Sequence, residues 1–159
     1  MKSRKSANRG RHARRTASAA ARRSPTKRRA TAGRSSGGLR PITGARRHEL
    51  GGVTIDAIAA ANGQIKRVVY PPGFRWSTHL RSIVGTELCM HGHVGFLISG
   101  KVKGQYRDGC AFEFAAPAVM VVEPGHDAWV VGREAAVLIQ FDAAGETAER
   151  FGLPAEHRH

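Results

Sequence analysis

The 159-residue sequence predicts an all-β fold, two packed antiparallel sheets closed into a small barrel, carried behind a disordered basic tail. Three observations lead there. Beyond residue 50, β-rich runs recur at intervals of about ten residues with turn residues between them. Only 146–151 reads as helical, and it is too short to stand without packing. Charge is also partitioned: 16 of the 26 Lys and Arg residues lie in 1–48, which hold no Asp or Glu, whereas 49–159 carry all 12 acidic residues. The net charge of +14 therefore belongs to the tail, and a uniformly basic globular domain is excluded.

The tail, 1–48, is built from Arg, Lys, Ser, Ala, Thr and Gly, with almost no aliphatic residue before Leu39 and Ile42. Such a segment cannot bury enough apolar surface to offset ordering entropy, and its charges repel, so disorder is expected. Ser24-Pro25-Thr26-Lys27-Arg28-Arg29 resembles the Ser-Pro-basic units of histone-like tails. An arm of this kind would bind nucleic acid non-specifically, releasing counterions from phosphates. No aromatic residue precedes Tyr70, so base stacking is not expected. A solvated tail drawn to any polyanion, or an organellar transit segment, has the same composition.

The domain, 49–159, begins with a strand at 53–58, a hairpin signal at Asn62-Gly63 and a second strand at 65–70, stopped by Pro71-Pro72-Gly73. Strands at 86–90 and 94–99 follow, interrupted around Gly92, with Gly100 ending the latter. Residues 101–106, the Asp108-Gly109 turn and 110–114 read as strand, turn and strand. A short β-branched run at 119–122 is closed by Pro124-Gly125, and 129–131 and 135–141 complete nine strand candidates.

No run approaches the ~18 to 20 apolar residues of a membrane span, and the basic start lacks the apolar core of a secretory signal. A soluble, cytoplasmic protein without membrane contact is expected. Cys89 and Cys110 are too few for a disulfide framework, which favours a reducing compartment. Open sheet edges make a homodimer the expected assembly.

Several phrases resemble one family. Gly73-Phe74-Arg75-Trp76-Ser77, the run CMHGHVGFLISG from Cys89 to Gly100, Asp108-Gly109 and the run PGHDAWVVG from Pro124 to Gly132 look like small single-domain bacterial cupins. The resemblance implies a double-stranded β-helix, or jelly-roll, barrel whose two motifs supply metal ligands from inward-facing strand residues. It does not imply one activity, because such barrels host isomerases, dioxygenases, decarboxylases, sensors and storage proteins.

The first family motif, Gly-x5-His-x-His followed by Glu-x6-Gly, threads in two ways. Forward, Gly85-x5-His91-Gly92-His93 reproduces the opening but leaves no later Glu. Backward from Gly100, His93 stands where the family has Glu, and Cys89 and Glu87 where it has His-x-His. The backward register is favoured because 94–99 reads as the strand preceding Gly100. In both, Glu87, Cys89, His91 and His93 alternate with Leu88, Met90 and Gly92 and would share one face of an extended chain. Carboxylate, thiolate and imidazole together suit Zn²⁺ or Fe²⁺, with thiolate tilting toward softer metals. The competing reading is a cysteine buried for packing beside partly exposed histidines.

The second family motif, Gly-x5-Pro-x-Gly-x-x-His, is poorly kept: Pro117 replaces its Gly, Glu123 its Pro and Ala128 its His. His126, two residues earlier, faces the same way on an extended segment and could supply the imidazole. Asp127 would orient a histidine or accept from a backbone amide; a plain turn at Gly125-His126-Asp127 is the alternative. His79 is a further candidate, against a surface-loop reading, and Trp76 and Trp129 read as wall and core residues. His157 and His159 lie in a terminus expected to fray.

The expectation is a small barrel binding a divalent metal, a small organic ligand or both, with Cys89, His93 and His126 as preferred donors and Glu87, His91 and His79 as auxiliaries. Were it catalytic, His126 would move a proton beside the metal. Whether it is an enzyme is left open. The alternatives are a ligand-sensing or nucleoid-associated protein whose tail binds nucleic acid, and a degenerate barrel kept as a structural module.

Overall fold

The computed structural model describes residues 39–145 and 147–158. In chain order the elements are β1 (Arg46–Leu50), β2 (Val53–Ala60), β3 (Gly63–Tyr70), α1 (Trp76–His79), α2 (Arg81–Val84), β4 (His93–Ser99), β5 (Lys101–Tyr106), β6 (Ala111–Ala115), β7 (Ala118–Val122), β8 (His126–Val130), β9 (Ala136–Ala143) and α3 (Thr147–Arg150). One sheet has the order β1-β2-β3-β9-β4-β7 and the other β6-β5-β8, and every ladder is antiparallel. From β4 onward the chain crosses between the sheets at β4 to β5, β6 to β7, β7 to β8 and β8 to β9. That wrapping is a jelly roll.

Alternation along the strands fills the barrel. On β4, Gly95 and Leu97 are buried while Phe96 and Ile98 face outward and are exposed. Leu97, Met120, Val122 and Leu138 from the large sheet meet Val102 and Val130 from the small one, and Phe74 and Trp76 close the space between them. Gly104 on β5 is required by a close approach, since a Cβ there would collide with the Phe112 ring.

Most expected strands are present within a few residues, with three differences. The first is β1, which runs from Arg46 across the 48/49 boundary read from charge. It joins β2 through Gly51-Gly52, with φ of 55° and 80°; positive φ at both central residues is the signature of a type I′ hairpin turn. Charge counting assigns Arg47 to the tail, yet its guanidinium donates to Asp56 on β2 at 2.7 and 3.0 Å. Arg67 on β3 donates to the same carboxylate, and Arg47 and Arg67 also reach the carbonyls of Leu39 and Arg40. Residues 39–48 are thereby tied to the barrel. Residues 1–38, on which the disorder and nucleic-acid expectations chiefly fall, lie outside the described residues.

The second difference is 86–90, expected as a strand. Only Cys89 pairs there, as an isolated bridge to His126, and Arg75 bridges Trp129 in the same way. These two bridges are what remains of a fourth strand beside β8, because α1 and α2 occupy the chain between them. Nothing in the periodicity marks α1. Its N-cap, Arg75, makes no side-chain cap bond; the Asp127 carboxylate instead accepts from the Ser77 amide at 3.0 Å.

The third is the β2–β3 hairpin, whose two loop residues are Ala61 and Asn62, with Gly63 paired to Ala60. Gly63 serves the close approach of β9, where a Cβ would collide with the Asp142 carbonyl. The expected helix is present as α3, which packs on Gly92 through Ala148. His157, expected to fray, is held by its amide on the Pro124 carbonyl at 3.1 Å, while His159 lies outside the described residues.

Asp56 is 1% exposed, and the Arg47 guanidinium, with Arg67 behind it, holds its carboxyl below the usual carboxylate range. A depressed carboxylate stabilises the fold above about pH 4 and loses that contribution as pH falls through the folded value. Asp56→Ala leaves two guanidiniums facing each other. Because those side chains stay 25% and 14% exposed, the cost should be about 2 kcal/mol rather than the ~3 to 5 kcal/mol of a fully buried pair. Urea unfolding at pH 7 measures it, and a loss under about 0.5 kcal/mol would contradict a structural role for the triad.

Candidate functional site

The site is assembled where Cys89 meets β8. The Cys89 amide donates to the His126 carbonyl at 2.8 Å, and the Gly125 amide donates to the Cys89 carbonyl at 2.8 Å. Residues directly opposed across an antiparallel pair project side chains to the same side. The thiol and imidazole therefore enter the barrel together. His93 opens β4, on the same inward face as Gly95 and Leu97, and its Nε2 is 3.5 Å from Cys89 Sγ. The His93 and His126 rings meet edge-on at 5.2 Å between centroids. One ligand atom from each of Cys89, His93 and His126 lies within 4.8 Å of the other two.

Hydrogen bonds set the proton positions. His126 Nδ1 lies 2.6 Å from the Glu123 carbonyl, which can only accept, so Nδ1 carries the proton and Nε2 the lone pair. His93 Nδ1 faces the side-chain amide of Gln140 at 2.6 Å. With the amide oxygen turned inward, Nδ1–H donates and Nε2 presents its lone pair toward Cys89; with the amide nitrogen inward, the proton moves to Nε2. Gln140 is thus the switch for the His93 tautomer.

Burial decides the charges. Desolvation pushes the Cys89 thiol up to about 11 and His126 down to about 4. Desolvation first, then His126 and His91, hold His93 well below its ordinary value. At neutral pH the site is one thiol and two neutral imidazoles. These are donors ready for a soft cation, whose charge would offset the burial cost of the thiolate and release its proton on binding.

The donor spacing fits such an ion. Bonds of roughly 2.3 Å to sulfur and 2.05 Å to nitrogen at a tetrahedral angle put the two atoms about 3.6 Å apart, against 3.5 Å between Cys89 and His93. His126 holds its distal nitrogen through a backbone carbonyl, the usual support for a metal-ligating histidine.

The other candidates go elsewhere. Glu87 is exposed and lies 3.4 Å from Arg107. His91 stacks on His93 with centroids 4.9 Å apart, but its Nε2 engages Asp142 at 3.2 Å. His79 turns back on α1, with Nδ1 against the Arg75 backbone, and packs on Phe74. The face expected to be shared by Glu87, Cys89, His91 and His93 does not form, because the chain is not extended over 86–92. Asp127 accepts from the Ser77 amide and hydroxyl and from Arg75, and so clamps α1 against β8. Trp76 is buried in the core and Trp129 is half-buried beneath Arg75, whose guanidinium carbon is 4.7 Å from the ring centroid.

Gln140 and the Glu123 carbonyl were not foreseen. Gln140 did carry a signal, being polar and at an inward position of the otherwise apolar start of β9. A backbone carbonyl carries none.

Two cavities adjoin the donors. The barrel interior below His93 and His126 has a volume of only about 40 Å³, closed by Tyr70, Phe74, Trp76 and Phe112. A second cavity of about 280 Å³ opens beside Cys89, His93 and Gln140, walled by Val53, Leu80 and Val68. A larger depression of about 950 Å³ touches the site only at its edge, through Met90, His91 and Asp142. The 280 Å³ cavity is the chemically relevant one, because it reaches both Cys89 and His93.

The sequence matches no family model and no curated protein. Similar solved structures include the Cnp3 cupin domain of Schizosaccharomyces pombe, at 14% identity and TM-score 0.46, over 69% of this chain and 76% of that one. A cupin 2 conserved barrel domain protein of Salinispora arenicola is similar at 18% identity and TM-score 0.45, over 72% and 94%. A cupin-like protein of Thermotoga maritima is similar at 21% identity and TM-score 0.43, over 58% and 68%. The chain resembles cupin-domain barrels. The chemistry of its site rests on the residues above.

Depressed histidines make the fold acid-sensitive. The unfolded chain takes up protons near pH 6.5 that folded His126 refuses until about 4, so stability is present above pH 6.5 and falls as pH drops. For chelator-treated protein, His126 alone should remove about 2 kcal/mol between pH 7 and pH 5. Urea midpoints at the two pH values, compared with His126→Gln, measure it; the variant should show a distinctly shallower loss. Equal losses would mean that His126 protonates as freely folded as unfolded.

Proposed function

We propose that the barrel holds one divalent metal, Zn²⁺ or Fe²⁺, on Cys89, His93 and His126, and offers it to a small, largely apolar ligand entering from the 280 Å³ cavity. The observation that carries this is the meeting of a buried thiol with two neutral imidazoles, one tethered through Nδ1 to a backbone carbonyl. A metal bound there would act as a Lewis acid toward an oxygen-bearing ligand. Lys66, ion-paired to Asp142, sits at the polar end of the same cavity with Gln140. A ligand with one polar or anionic end and a short apolar body matches that lining.

In this role His126 gives its lone pair to the metal and is not the group that moves protons. His91, half-buried at the cavity edge and 3.2 Å from Asp142, is better placed for transfer with solvent. Metal analysis of purified full-length protein tests the assignment. The Cys89→Ala/His126→Ala variant should hold one equivalent less than the native chain, with a thermal unfolding curve run alongside to show that it folds. Unchanged metal content in a folded variant would overturn the site.

A second reading concerns the tail, and the charge count favours it. Residues 1–38 hold 13 Lys and Arg and no acid, which supports sequence-indifferent nucleic-acid binding by a barrel with its own ligand. The comparison should use a chain beginning at Leu39, because a start at Glu49 would remove Arg47 from its pair with Asp56. Duplex DNA binding by the full chain should weaken with salt at a log-log slope of at most about −0.9 per phosphate contact, and should be lost from the shorter chain. Equal affinity of the two would remove the tail from the function.

A further inference from the structure

Outside the barrel, the C-terminal segment lies over the β5–β6 turn and the β7–β8 loop. His157 stacks on Tyr106, ring centroids 3.8 Å apart and 15° from parallel, and its amide is held by the Pro124 carbonyl. Glu156 pairs with Arg107 at 3.0 Å. One ligand atom from each of Asp108, Cys110 and His157 lies within 4.8 Å of the other two. Tyr106 separates this group from the barrel site, stacking on His157 at one side and facing the His126 ring at 6.1 Å on the other.

The arrangement around His157 is what singles it out. Its Nδ1 is hydrogen-bonded to the Glu123 carboxylate, and a carboxylate only accepts, so Nδ1 carries the proton and Nε2 the lone pair. That lone pair is on the side of Asp108, whose Oδ2 is 3.8 Å from Nε2. Asp108 is itself fixed, because its Oδ1 accepts the Cys110 amide at 2.9 Å across the turn, which brings the Cys110 side chain to the same place. A histidine with one nitrogen on a carboxylate and the other aimed at sulfur and oxygen donors is the usual surrounding of a ligating imidazole.

We propose that Asp108, Cys110 and His157 form a second divalent-metal site, selective for Zn²⁺, with Glu123 as the positioning residue for His157. Nitrogen, sulfur and oxygen donors suit Zn²⁺, and solvent reaches the group at Asp108, whose residue is exposed. A tetrahedral Zn²⁺ places nitrogen and oxygen ligands about 3.4 Å apart, so closing the 3.8 Å gap needs a movement of a few tenths of an ångström. The ion would rivet the C-terminal segment across the barrel end that carries Tyr106. It would do so independently of the Cys89 site.

Co²⁺ titration of the full-length chain tests this, because cobalt bound to thiolate absorbs in the near ultraviolet and separates the two sites by their cysteines. In the Cys89→Ala/His126→Ala background, one equivalent should still bind with the thiolate band, and adding Cys110→Ser should abolish the band. Glu123→Gln should weaken affinity about 10- to 100-fold while keeping the band, as loss of a supporting carboxylate does. No thiolate band in the folded background variant, or a band unaffected by Cys110→Ser, overturns the proposal. Should the background variant fail to fold, Cys110→Ser alone should lose one Zn²⁺ equivalent from the native chain, and unchanged stoichiometry overturns the proposal equally. A readout free of the first site is amide exchange over 153–158: Zn²⁺ should slow it at least about tenfold in the native chain and leave it unchanged in Cys110→Ser. Equal exchange with and without Zn²⁺ in the native chain means that the cluster is a hydrogen-bond network holding no metal.

Discussion

The pairing of Cys89 with His126 is two residues long, yet both the barrel and its site depend on it. The small sheet has three strands, and on the outer side of β8 the chain offers only single bridges at Arg75 and Cys89. Without the Cys89 bridge, the segment from α2 to β4 would keep no backbone hydrogen bond to the small sheet among the described residues, only the exposed Glu87–Arg107 pair. The same two backbone bonds decide that a thiol and an imidazole face inward together. Here fold closure and site chemistry are one constraint. Asp127 reinforces it from the opposite face of β8 by holding α1 through Ser77 and Arg75.

The position of the imidazole along β8 has a further consequence. His126 stands one pleat repeat before Ala128, about 6.6 Å along β8. Ala128 lies opposite Gly104, and the Phe112 ring fills the space that both small residues leave. The deep end of the barrel is consequently apolar and nearly filled, leaving about 40 Å³, and the donors gather near the mouth, where Cys89 arrives from the loop.

Much of this could be read from the residues, in proportion to how locally each feature is determined. Strand alternation and turn glycines are local, so eight of the strands and the boundary near Gly100 were legible, whereas the jelly-roll wrapping came with the family resemblance. The backward threading of the first motif rests on a fixed separation within one short segment; of its three residues Cys89 and His93 come together whereas Glu87 turns to Arg107, and His91 of the forward threading stacks on His93. What was not legible depends on partners distant in sequence. Arg47 looks like tail charge until Asp56 and Arg67 are placed beside it. Residues 86–90 alternate like a strand but have no neighbour long enough to make them one. Helix α1 is held by Asp127, fifty residues away, and His157 by Glu123 and Tyr106, neither of which its own neighbourhood announces.

The electrostatic layout separates two environments within a few ångströms. Cys89, His93 and His126 are uncharged at neutral pH because burial opposes ionisation of each. Immediately outside, the Lys66–Asp142 ion pair, with His91 beside it, forms a polar rim, and burial does not prevail there: Asp142 is held below its ordinary range by His91 and Lys66 against its own desolvation. A cation moving inward would pass that carboxylate, then meet soft neutral donors whose only available anion is the Cys89 thiolate. Hard cations lose hydration there without gaining charged oxygen ligands, whereas a thiophilic ion recovers the cost through sulfur and two imidazoles. For the metal proposed above, a preference for soft ions would follow from the absence of carboxylates among Cys89, His93 and His126; Glu87, on the same loop as Cys89, pairs with Arg107 instead.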